Sequence, residues 1–304
     1  MKILLATQKP FAVAAVKGIR EIVEEAGHEL VVFEKYAEQS DLVNAVADVD
    51  AMIVRSDKVT AEVVEAAKNL KIVVRAGAGY DNLDLNACKE HGVVAMNTPG
   101  QNSNAVAELA IAMMIFMART QFTPATGSEV KGKVLGIQAF GNVGRLVGEK
   151  AKALGMTVKA IDPFLPSEKI IEGGAEPAKD LKELYSSCDY VSIHIPATPQ
   201  TIGSIGYELI SSMPKNATLV NTARKEVIDE AGLEKALEER QDLKYVTDVA
   251  PDNIAVLQEK FGLRVFATPK KMGAQTAEAN VNAGLAAARQ ICGYFATGCT
   301  KFQL

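Results

Sequence analysis

The sequence predicts an α/β protein with two domains, each built on a doubly wound parallel sheet. The first observation is that short apolar segments alternate with amphipathic segments along the whole chain. Strands and helices that alternate in this way form parallel sheets covered by helices on both faces. The second is the length, because 304 residues can fold into about two domains with separate cores. The third is that the strands fall into two sets, one on each side of a long helical segment.

That long helix is predicted at residues 103–119. The strands before it are predicted at residues 2–6, 29–33, 51–54, 71–75 and 93–96. The strands after it are predicted at residues 134–138, 157–161, 190–194, 217–221, 244–247 and 264–267. Further helical segments are predicted at residues 11–25, 61–68, 145–154, 229–238 and 276–296. The polar segment 120–132, which contains Pro124 and Gly127, is predicted to link the two sets.

Two helices carry apolar faces that need a partner. The helix at 103–119 presents a core face or a dimer face, and its apolar residues are Val106, Leu109, Ala110, Met113, Met114 and Met117. The last helix, 276–296, is rich in alanine and uncharged over much of its length, so it is predicted to pack against another element.

Composition argues against several classes of partner. The 33 Lys and Arg residues nearly balance the 37 Asp and Glu residues, and the net charge of −4 does not favour nucleic acid or an anionic membrane. No apolar run is long enough to span a bilayer, and residues 1–6 are predicted as a strand rather than a signal peptide. The four cysteines, Cys88, Cys188, Cys292 and Cys299, have no paired spacing, which favours reduced thiols in a cytoplasmic protein. No metal site is expected.

Residues 134–162 have the spacing of a dinucleotide-binding βαβ unit. A strand leads into the loop Ala139-Phe-Gly-Asn-Val-Gly144, a helical stretch runs to Leu154, and Asp162 ends the next strand. Glycines allow the backbone to approach a pyrophosphate, and free N–H groups at the helix start meet its charge. The acid can accept hydrogen bonds from both ribose hydroxyls, which favours NAD over NADP. Ala139 stands at the usual first glycine, so a purely structural βα turn is the alternative.

Several further segments follow one another in a characteristic order. They are Val54-Arg55-Ser56, VRAGAGYDN at residues 74–82, NTPGQNS at residues 97–103, His194-Ile195-Pro196, LVNTAR at residues 219–224 and GAQT at residues 273–276. In this order and spacing they resemble the D-2-hydroxyacid dehydrogenases, and most of all the phosphoglycerate branch of that family. The resemblance covers almost the whole chain.

The resemblance implies a specific architecture. A flavodoxin-like substrate-binding domain is expected from residues 1–99 plus 281–304, and a Rossmann NAD-binding domain from residues 100–280, with the active site in a cleft between them. NAD is the expected cofactor, and a cytoplasmic homodimer in contact through the 103–119 helix is the expected assembly. The chain ends directly after the last core helix, so it resembles a short form without regulatory domains.

The resemblance also implies the cofactor-binding residues. In the family the residue matching Asp248 accepts a hydrogen bond from the nicotinamide carboxamide, and the His-x-Pro element at His194 packs beside the cofactor. The expected set is Ala78, Phe140, Gly141, Asn142, Val143, Gly144, Asp162, Pro163, His194, Ile195, Pro196, Thr222, Ala223, Arg224, Asp248, Gly273 and Ala274.

Charged and backbone groups after the strands are candidates for the substrate. A guanidinium at Arg224 can hold a carboxylate with two hydrogen bonds and polarise the C2 oxygen, which is the family role of the matching arginine. Arg55 and Arg75 each end a strand, and paired arginines suit a phosphate; the alternative is that Arg55 pairs with Asp57. The expected substrate-binding residues are Arg55, Ser56, Arg75, Ala76, Gly77, Ala78, Asn102 and Ser103.

The catalytic base is where the sequence departs from the family. Family members place a histidine just before the Gly-Ala stretch and pair it with a glutamate, but the histidines here are His28, His91 and His194. Counting back from Gly273 puts Lys271 at the histidine position, and counting on from Pro269 puts Lys270 there. Asp252 is the nearest replacement for the glutamate. The alternative is that both lysines only attract the substrate and water accepts the proton.

The leading expectation is NAD-dependent oxidation of 3-phospho-D-glycerate to 3-phosphohydroxypyruvate, the first step toward serine, with Arg224 holding the substrate and a lysine as acid/base. A second possibility is a glyoxylate or hydroxypyruvate reductase or another D-2-hydroxyacid dehydrogenase, which would not need Arg55 and Arg75. A third is a non-catalytic NAD-sensing protein of the corepressor type, because loss of the histidine is what a retired enzyme would show.

Overall fold

A computed structural model describes residues 1–304 and divides them into two compact units. The first unit contains Met1–Asn102 and Gln275–Leu304, and the second contains Ser103–Ala274. The predicted domain boundaries, after residue 99 and after residue 280, remain predictions about functional domains. No helix combines the length and the apolar character that crossing a membrane requires.

The first unit is built on a five-stranded parallel sheet. Its strands are β1 (Lys2–Thr7), β2 (Glu29–Glu34), β3 (Ala51–Val54), β4 (Ile72–Arg75) and β5 (Val94–Asn97). Its helices are α1 (Val13–Glu25), α2 (Gln39–Ala45), α3 (Ala61–Ala66), α4 (Leu85–Glu90) and, from the end of the chain, α12 (Ala277–Thr297). The strand order β2-β1-β3-β4-β5 is the flavodoxin-like order.

The packing of α1 on α12 explains why the last helix is rich in small residues. A β-carbon placed on Gly18 of α1 would lie 2.6 Å from Leu285 Cδ2, and one on Gly284 of α12 would lie 2.9 Å from Ile19 Cδ1. The two glycines therefore let the helices approach closely. The prediction that the last helix packs against another element is confirmed, since Ala287 is fully buried in a core cluster that it shares with strands and α1 of the first unit.

The second unit is built on a seven-stranded parallel sheet. Its strands are β6 (Val134–Gln138), β7 (Thr157–Ile161), β8 (Glu176–Pro177), β9 (Tyr190–Ile193), β10 (Thr218–Asn221), β11 (Lys244–Thr247) and β12 (Val265–Ala267). Its helices are α5 (Ser103–Ala118), α6 (Asn142–Ala153), α7 (Ser167–Glu172), α8 (Leu181–Ser187), α9 (Tyr207–Ser211), α10 (Glu230–Glu239) and α11 (Ile254–Phe261). The order β12-β11-β10-β9-β6-β7-β8 is that of the Rossmann fold, extended by one strand. The predicted fold class is confirmed.

Six strands of this sheet end in one row. The register pairs Gln138 with both Ile161 and Ile193, and pairs Asn221 with both Ile193 and Thr247, which in turn pairs with Ala267. The residues that follow these strands therefore share one edge, which we call the carboxyl edge. The strand order reverses at β6, and ligands of such sheets bind at the carboxyl ends near this switch point.

Two predictions about the middle of the chain have clear outcomes. Helix α5 contributes Ala110, Met113 and Met114 to the core of the second unit, so these residues form a core face. The prediction that segment 120–132 links the two sets is wrong, because this segment lies entirely within the second unit. The Ser128 N–H donates to the Ala118 carbonyl oxygen, so the polar loop folds back on the end of α5.

Candidate functional site

The loop between β6 and α6 brings open backbone to the carboxyl edge. Gly141 is the N-cap of α6, and a β-carbon placed there would meet nothing within 4 Å. The helix begins at Asn142, earlier than the predicted residue 145, so Gly144 lies in its first turn. A β-carbon on Gly144 would lie 2.2 Å from the Ala139 carbonyl oxygen, which makes glycine necessary there. Ala139 adopts a φ of 75°, the left-handed conformation that glycine adopts without strain.

Asp162 holds this loop in place. Its Oδ2 accepts a hydrogen bond from the Phe140 N–H at 2.9 Å, and its Oδ1 accepts one from the Phe164 N–H at 2.9 Å. The carboxylate is partly exposed, and each oxygen keeps a second lone pair for a further donor. Pro163 is exposed, and the Phe164 side chain is 90% exposed. Asp162 therefore fixes the glycine loop and still has capacity for a pair of hydroxyl groups.

His194 is tied into the sheet. Its backbone N–H donates to the Gln138 carbonyl oxygen at 2.9 Å, and its ring Nε2 lies 2.9 Å from Ser192 Oγ. Burial lowers the pKa of His194 to about 4, so the ring is neutral near pH 7. The following Ile195 is buried and Pro196 is exposed. These contacts support a structural role beside the cofactor loop.

Asn221 braces the turn that carries Arg224. Its Oδ1 accepts from the Ala223 N–H at 2.9 Å, and its Nδ2 donates to the Arg224 carbonyl oxygen at 2.9 Å. Arg224 is partly exposed, and its guanidinium donates to the Ala223 carbonyl oxygen at 2.9 Å. Thr222 is only 7% exposed, and its hydroxyl has no hydrogen-bond partner. The Thr222 hydroxyl is therefore available to a ligand or an ordered water.

Asp248 anchors the loop that follows β12. Its Oδ1 accepts from the Met272 N–H at 2.9 Å and lies 2.7 Å from the Thr268 hydroxyl, and its Oδ2 accepts from the Gly273 N–H at 2.8 Å. The residue is 2% exposed. A carboxylate offers about four acceptor positions, so one position on Oδ2 stays available for another donor. Ala274 follows and is partly buried.

The residues of the carboxyl edge fit NAD. The space beside Gly141, together with the N–H groups at the start of α6, suits a pyrophosphate. Asp162 suits the ribose hydroxyls. The unpaired hydroxyl of Thr222 and the remaining acceptor of Asp248 suit the polar groups of a nicotinamide ring. Asn142 and Val143 lie in the first turn of α6 with Gly144, as expected for this loop.

The two candidate lysines lie on the exposed part of the loop between β12 and α12. Lys270 and Lys271 are both exposed in the structure. Asp252, the candidate partner of a lysine base, is hydrogen-bonded to Lys225, and its side chain is 80% exposed. The Glu230 carboxylate accepts from the Asp252 N–H at 2.9 Å and holds this segment. A role of Asp252 beside a lysine base must therefore compete with the Lys225 ion pair.

Arg55 and Arg75 meet at the carboxyl ends of adjacent strands in the first unit. Arg75 pairs with Val54 in the register, and its Nε donates to the Arg55 carbonyl oxygen at 2.9 Å. Burial lowers the pKa of Arg55, although the nearby Asp57 opposes this shift. Asp57 Oδ1 accepts from the Tyr36 hydroxyl at 2.6 Å and from the Gln8 N–H at 2.7 Å. Ser56 is exposed beside Arg55.

The small-residue loop after β4 packs tightly against Arg75. A β-carbon on Gly77, whose φ is 147°, would lie 1.6 Å from a terminal nitrogen of the Arg75 guanidinium. The Gly77 N–H lies 2.6 Å from the Thr98 hydroxyl, and the Asn97 amide donates to the Ala78 carbonyl oxygen at 2.6 Å. Ala76 is buried. Gly77 thus makes room for the arginine that sequence reasoning assigned to a phosphate.

Asn102 and Ser103 stand at the boundary between the two units. Asn102 ends the first segment of the first unit and is partly exposed. Ser103 opens α5 in the second unit and is 3% exposed. The expected N-terminal position of Ser103 on the long helix is confirmed.

Sequence reasoning missed several supporting residues. The braces formed by Asn221, Thr268 and Glu230 were not expected, nor was the loop-holding role of Asp162 and Asp248. A signal existed only for Asn221, because an asparagine that ends a strand before a tight turn often bonds to its own backbone. The other contacts join residues that are far apart in the sequence.

The chain belongs to the family of D-isomer specific 2-hydroxyacid dehydrogenases, whose NAD-binding domain model matches residues 106–270. It is 37% identical over 286 residues to D-3-phosphoglycerate dehydrogenase of Methanocaldococcus jannaschii, covering 89% of this chain and 54% of that protein. It is also 37% identical over 278 residues to hydroxypyruvate reductase of Thermotoga maritima, covering 84% of this chain and 88% of that protein. The chain thus spans about half the length of its archaeal phosphoglycerate dehydrogenase relative.

Solved structures agree with this assignment. The chain is 51% identical to the NAD⁺-bound 3-phosphoglycerate dehydrogenase of Entamoeba histolytica, with a TM-score of 0.88 over 100% of this chain and 98% of that chain. The apo D-lactate dehydrogenase of Escherichia coli is 25% identical, with a TM-score of 0.79 over the whole of both chains. NAD is the cofactor of this family, and the carboxyl edge of the second unit fits it.

Proposed function

We propose that this chain is a phosphoglycerate dehydrogenase that oxidises 3-phospho-D-glycerate to 3-phosphohydroxypyruvate, the first step of serine biosynthesis. The observation that carries the proposal is the pair Arg55 and Arg75, held together at adjacent strand ends by the bond from Arg75 Nε to the Arg55 carbonyl oxygen. Two guanidinium groups match the charge of a phosphomonoester, which is close to two at neutral pH. The names of the relatives support the same substrate.

In the proposed reaction Arg224 binds the substrate carboxylate and polarises the C2 oxygen. Bound NAD⁺ supplies the acceptor for the hydride from C2. The C2 hydroxyl proton passes to a base as the C2–O bond becomes a carbonyl, so the substrate loses one hydride and one proton. The Asn221 brace supports this assignment, because it fixes the backbone on both sides of Ala223 and limits the positions open to the arginine.

Lys271 is the proposed base, with Lys270 as the alternative and Asp252 as a candidate partner. Free lysine has a pKa of about 10.4, so a lysine base requires the minor, deprotonated form at neutral pH and activity should increase toward alkaline pH. The pH–rate profiles of wild type, Lys271→Ala and Lys270→Ala test this proposal. Loss of an acid–base group should reduce kcat by at least about tenfold. If neither variant loses that much, water is the acceptor and the assignment fails.

A hydroxypyruvate or glyoxylate reductase is the second candidate, and the relative from Thermotoga maritima favours it. The two functions differ in their need for a phosphate site. Under the leading proposal, Arg75→Ala should raise KM for 3-phosphoglycerate by at least about tenfold, because charge-assisted bonds are each worth about 1.5–3 kcal/mol. KM for hydroxypyruvate should change little. Arg20→Ala, which removes a partly exposed arginine of α1, is the matched control.

Steady NADH formation from 3-phosphoglycerate at alkaline pH, or steady NADH consumption with hydroxypyruvate or glyoxylate, separates the two enzymes from a non-catalytic NAD-sensing protein. If NADH binds but no substrate of either class turns over, the corepressor-type alternative is correct. We also propose a cytoplasmic homodimer. Light scattering on the purified chain tests the assembly, and a single species at the monomer mass would exclude the dimer.

A further inference from the structure

A cavity of about 260 Å³ lies in the second unit, at the edge of the seven-stranded sheet opposite the carboxyl edge. Its walls come from segments that lead into four strands. Lys133 precedes β6, Asp189 precedes β9, Lys215 precedes β10 and Lys244 opens β11. We call it the amino-edge cavity. Nothing in the proposed dehydrogenase reaction uses it, because the cofactor residues follow the strands at the other edge.

Positive charge predominates in the amino-edge cavity. Its lining contains three lysines and one carboxylate. Asp189 is already engaged, because Oδ2 accepts from the Val134 N–H at 2.9 Å and Oδ1 lies 3.6 Å from Lys133 Nζ. The C-terminal end of α5 contributes roughly half a negative charge. The charges of Lys133 and Asp189 cancel each other. The remaining charges of Lys215 and Lys244, less that of the helix end, give the cavity a net charge of about +1.5.

Lys244 is the residue that most needs a partner. It is partly buried, and its pKa is lowered by burial, with no carboxylate acting against that shift. Its Nζ reaches the Met117 carbonyl oxygen at 3.5 Å, a long contact that caps α5 weakly. An ammonium group withdrawn from water without a carboxylate is costly, and an anion in the cavity would offset that cost.

The remaining lining groups suit an oxyanion. Thr120 brings a hydroxyl group that can donate to a phosphate oxygen, and Ser128 brings a second hydroxyl, which is hydrogen-bonded to the Tyr190 hydroxyl. We propose that the amino-edge cavity binds a small, multiply charged phosphate, held by Lys215 and Lys244 with help from these hydroxyls. The chemistry is the same for inorganic phosphate and for a short phosphomonoester, and a volume of about 260 Å³ admits either one. This would be a second anion site, separate from Arg55 and Arg75.

The test is calorimetric titration of the full chain with inorganic phosphate and, separately, with glycerol 3-phosphate, at constant ionic strength. Arg75→Ala removes the proposed substrate phosphate site. Lys215→Ala and Lys244→Met remove the two cavity charges, and the methionine keeps most of the buried stem. Lys182→Ala, an exposed lysine of α8 outside the cavity, is the matched control for net charge.

We expect phosphate binding to persist in Arg75→Ala and Lys182→Ala, and to weaken by at least about tenfold in Lys215→Ala and Lys244→Met. In Arg75→Ala, where the proposed substrate phosphate site is removed, tighter binding of the ester would identify a phosphomonoester, and equal or tighter binding of phosphate would identify the free ion. The proposal is overturned if both cavity variants bind phosphate like wild type, or if Arg75→Ala alone abolishes binding. Lys215 is exposed, so its variant keeps the test valid even if Lys244→Met fails to fold.

Discussion

Replacing Asp248 by asparagine should destabilise the protein because it removes one acceptor from a buried junction. The wild-type carboxylate accepts hydrogen bonds from the Thr268 hydroxyl at 2.7 Å, the Met272 N–H at 2.9 Å and the Gly273 N–H at 2.8 Å. Asparagine has the same shape but carries one oxygen and one NH₂ group. Whichever way the amide turns, at least one N–H of the loop then faces another donor.

The magnitude follows from those three contacts. A buried N–H left without an acceptor costs about 1–3 kcal/mol, and each remaining bond weakens by about 1 kcal/mol when its acceptor becomes neutral. Burying a neutral amide in place of a charge returns part of this loss. We therefore expect Asp248→Asn to lower the free energy of unfolding by about 2–4 kcal/mol. The affinity for NAD⁺ should fall as well, because the spare acceptor on Oδ2 changes.

Urea unfolding at pH 7 measures the first effect, and titration with NAD⁺ measures the second. Asp252→Asn makes the same chemical change in the same segment, but at a side chain that is 80% exposed and engaged in one surface ion pair. It should leave the unfolding midpoint unchanged within replicate error, because exposed ion pairs contribute little. Equal effects of the two substitutions would refute the reasoning, since burial and hydrogen bonding of Asp248 would then be irrelevant to stability.

Two further predictions concern the same edge of the sheet. Burial lowers the pKa of His194 to about 4, whereas an unfolded histidine has a pKa near 6.5. The neutral ring of the folded protein therefore contributes its full stabilisation above about pH 6.5. As the pH drops toward 4, the free energy of unfolding should fall by up to about 3 kcal/mol. In His194→Gln, the unfolding midpoint should change less with pH across this interval than it does in wild type. An equal pH dependence in the two proteins would contradict the prediction. Asp162→Ala should weaken NADH binding by at least about tenfold and reduce the preference for NADH over NADPH, measured by fluorescence titration. Asp180→Ala is the control, because the Asp180 carboxylate also accepts a hydrogen bond from a backbone N–H. This variant should bind the cofactor like wild type. Equal losses of affinity in both variants would rule out a direct role for Asp162.

The strands of both sheets could be predicted because parallel strands are continuous apolar runs. All eleven predicted strands are present, and the missed β8 contains only two residues. The short helices were harder, because a helix of five to eight residues has too few turns for a periodic pattern. A capping residue precedes one of the helices that was not predicted, α4, where the Asp84 side chain accepts from the Ala87 N–H.

The supporting contacts of the candidate site were not predictable in the same way. The position of Asp162 after its strand follows from spacing, but its bond to the Phe140 N–H requires the loop to curl back, with Ala139 at positive φ. Likewise, sequence spacing placed Asp252 near the family glutamate, but the Lys225 ion pair depends on how two loops meet. Spacing along one chain fixes which edge a residue occupies, whereas hydrogen bonds between loops are decided by tertiary packing.

The choice between Lys270 and Lys271 illustrates this limit and also suggests how the structure narrows it. Sequence counting gave different answers from Pro269 and from Gly273, because one residue has been added between them. In the structure, the Thr268 hydroxyl can donate to Asp248 or, at 3.0 Å, to the Lys270 carbonyl oxygen, and the Met272 N–H is bonded to Asp248. The backbone is therefore held on both sides of Lys271, while Lys270 directly follows an exposed proline. A base must be positioned as well as deprotonated. This difference supports Lys271. It predicts that Asp248→Asn should lower kcat in the Lys270→Ala background but have little further effect on kcat in the Lys271→Ala background.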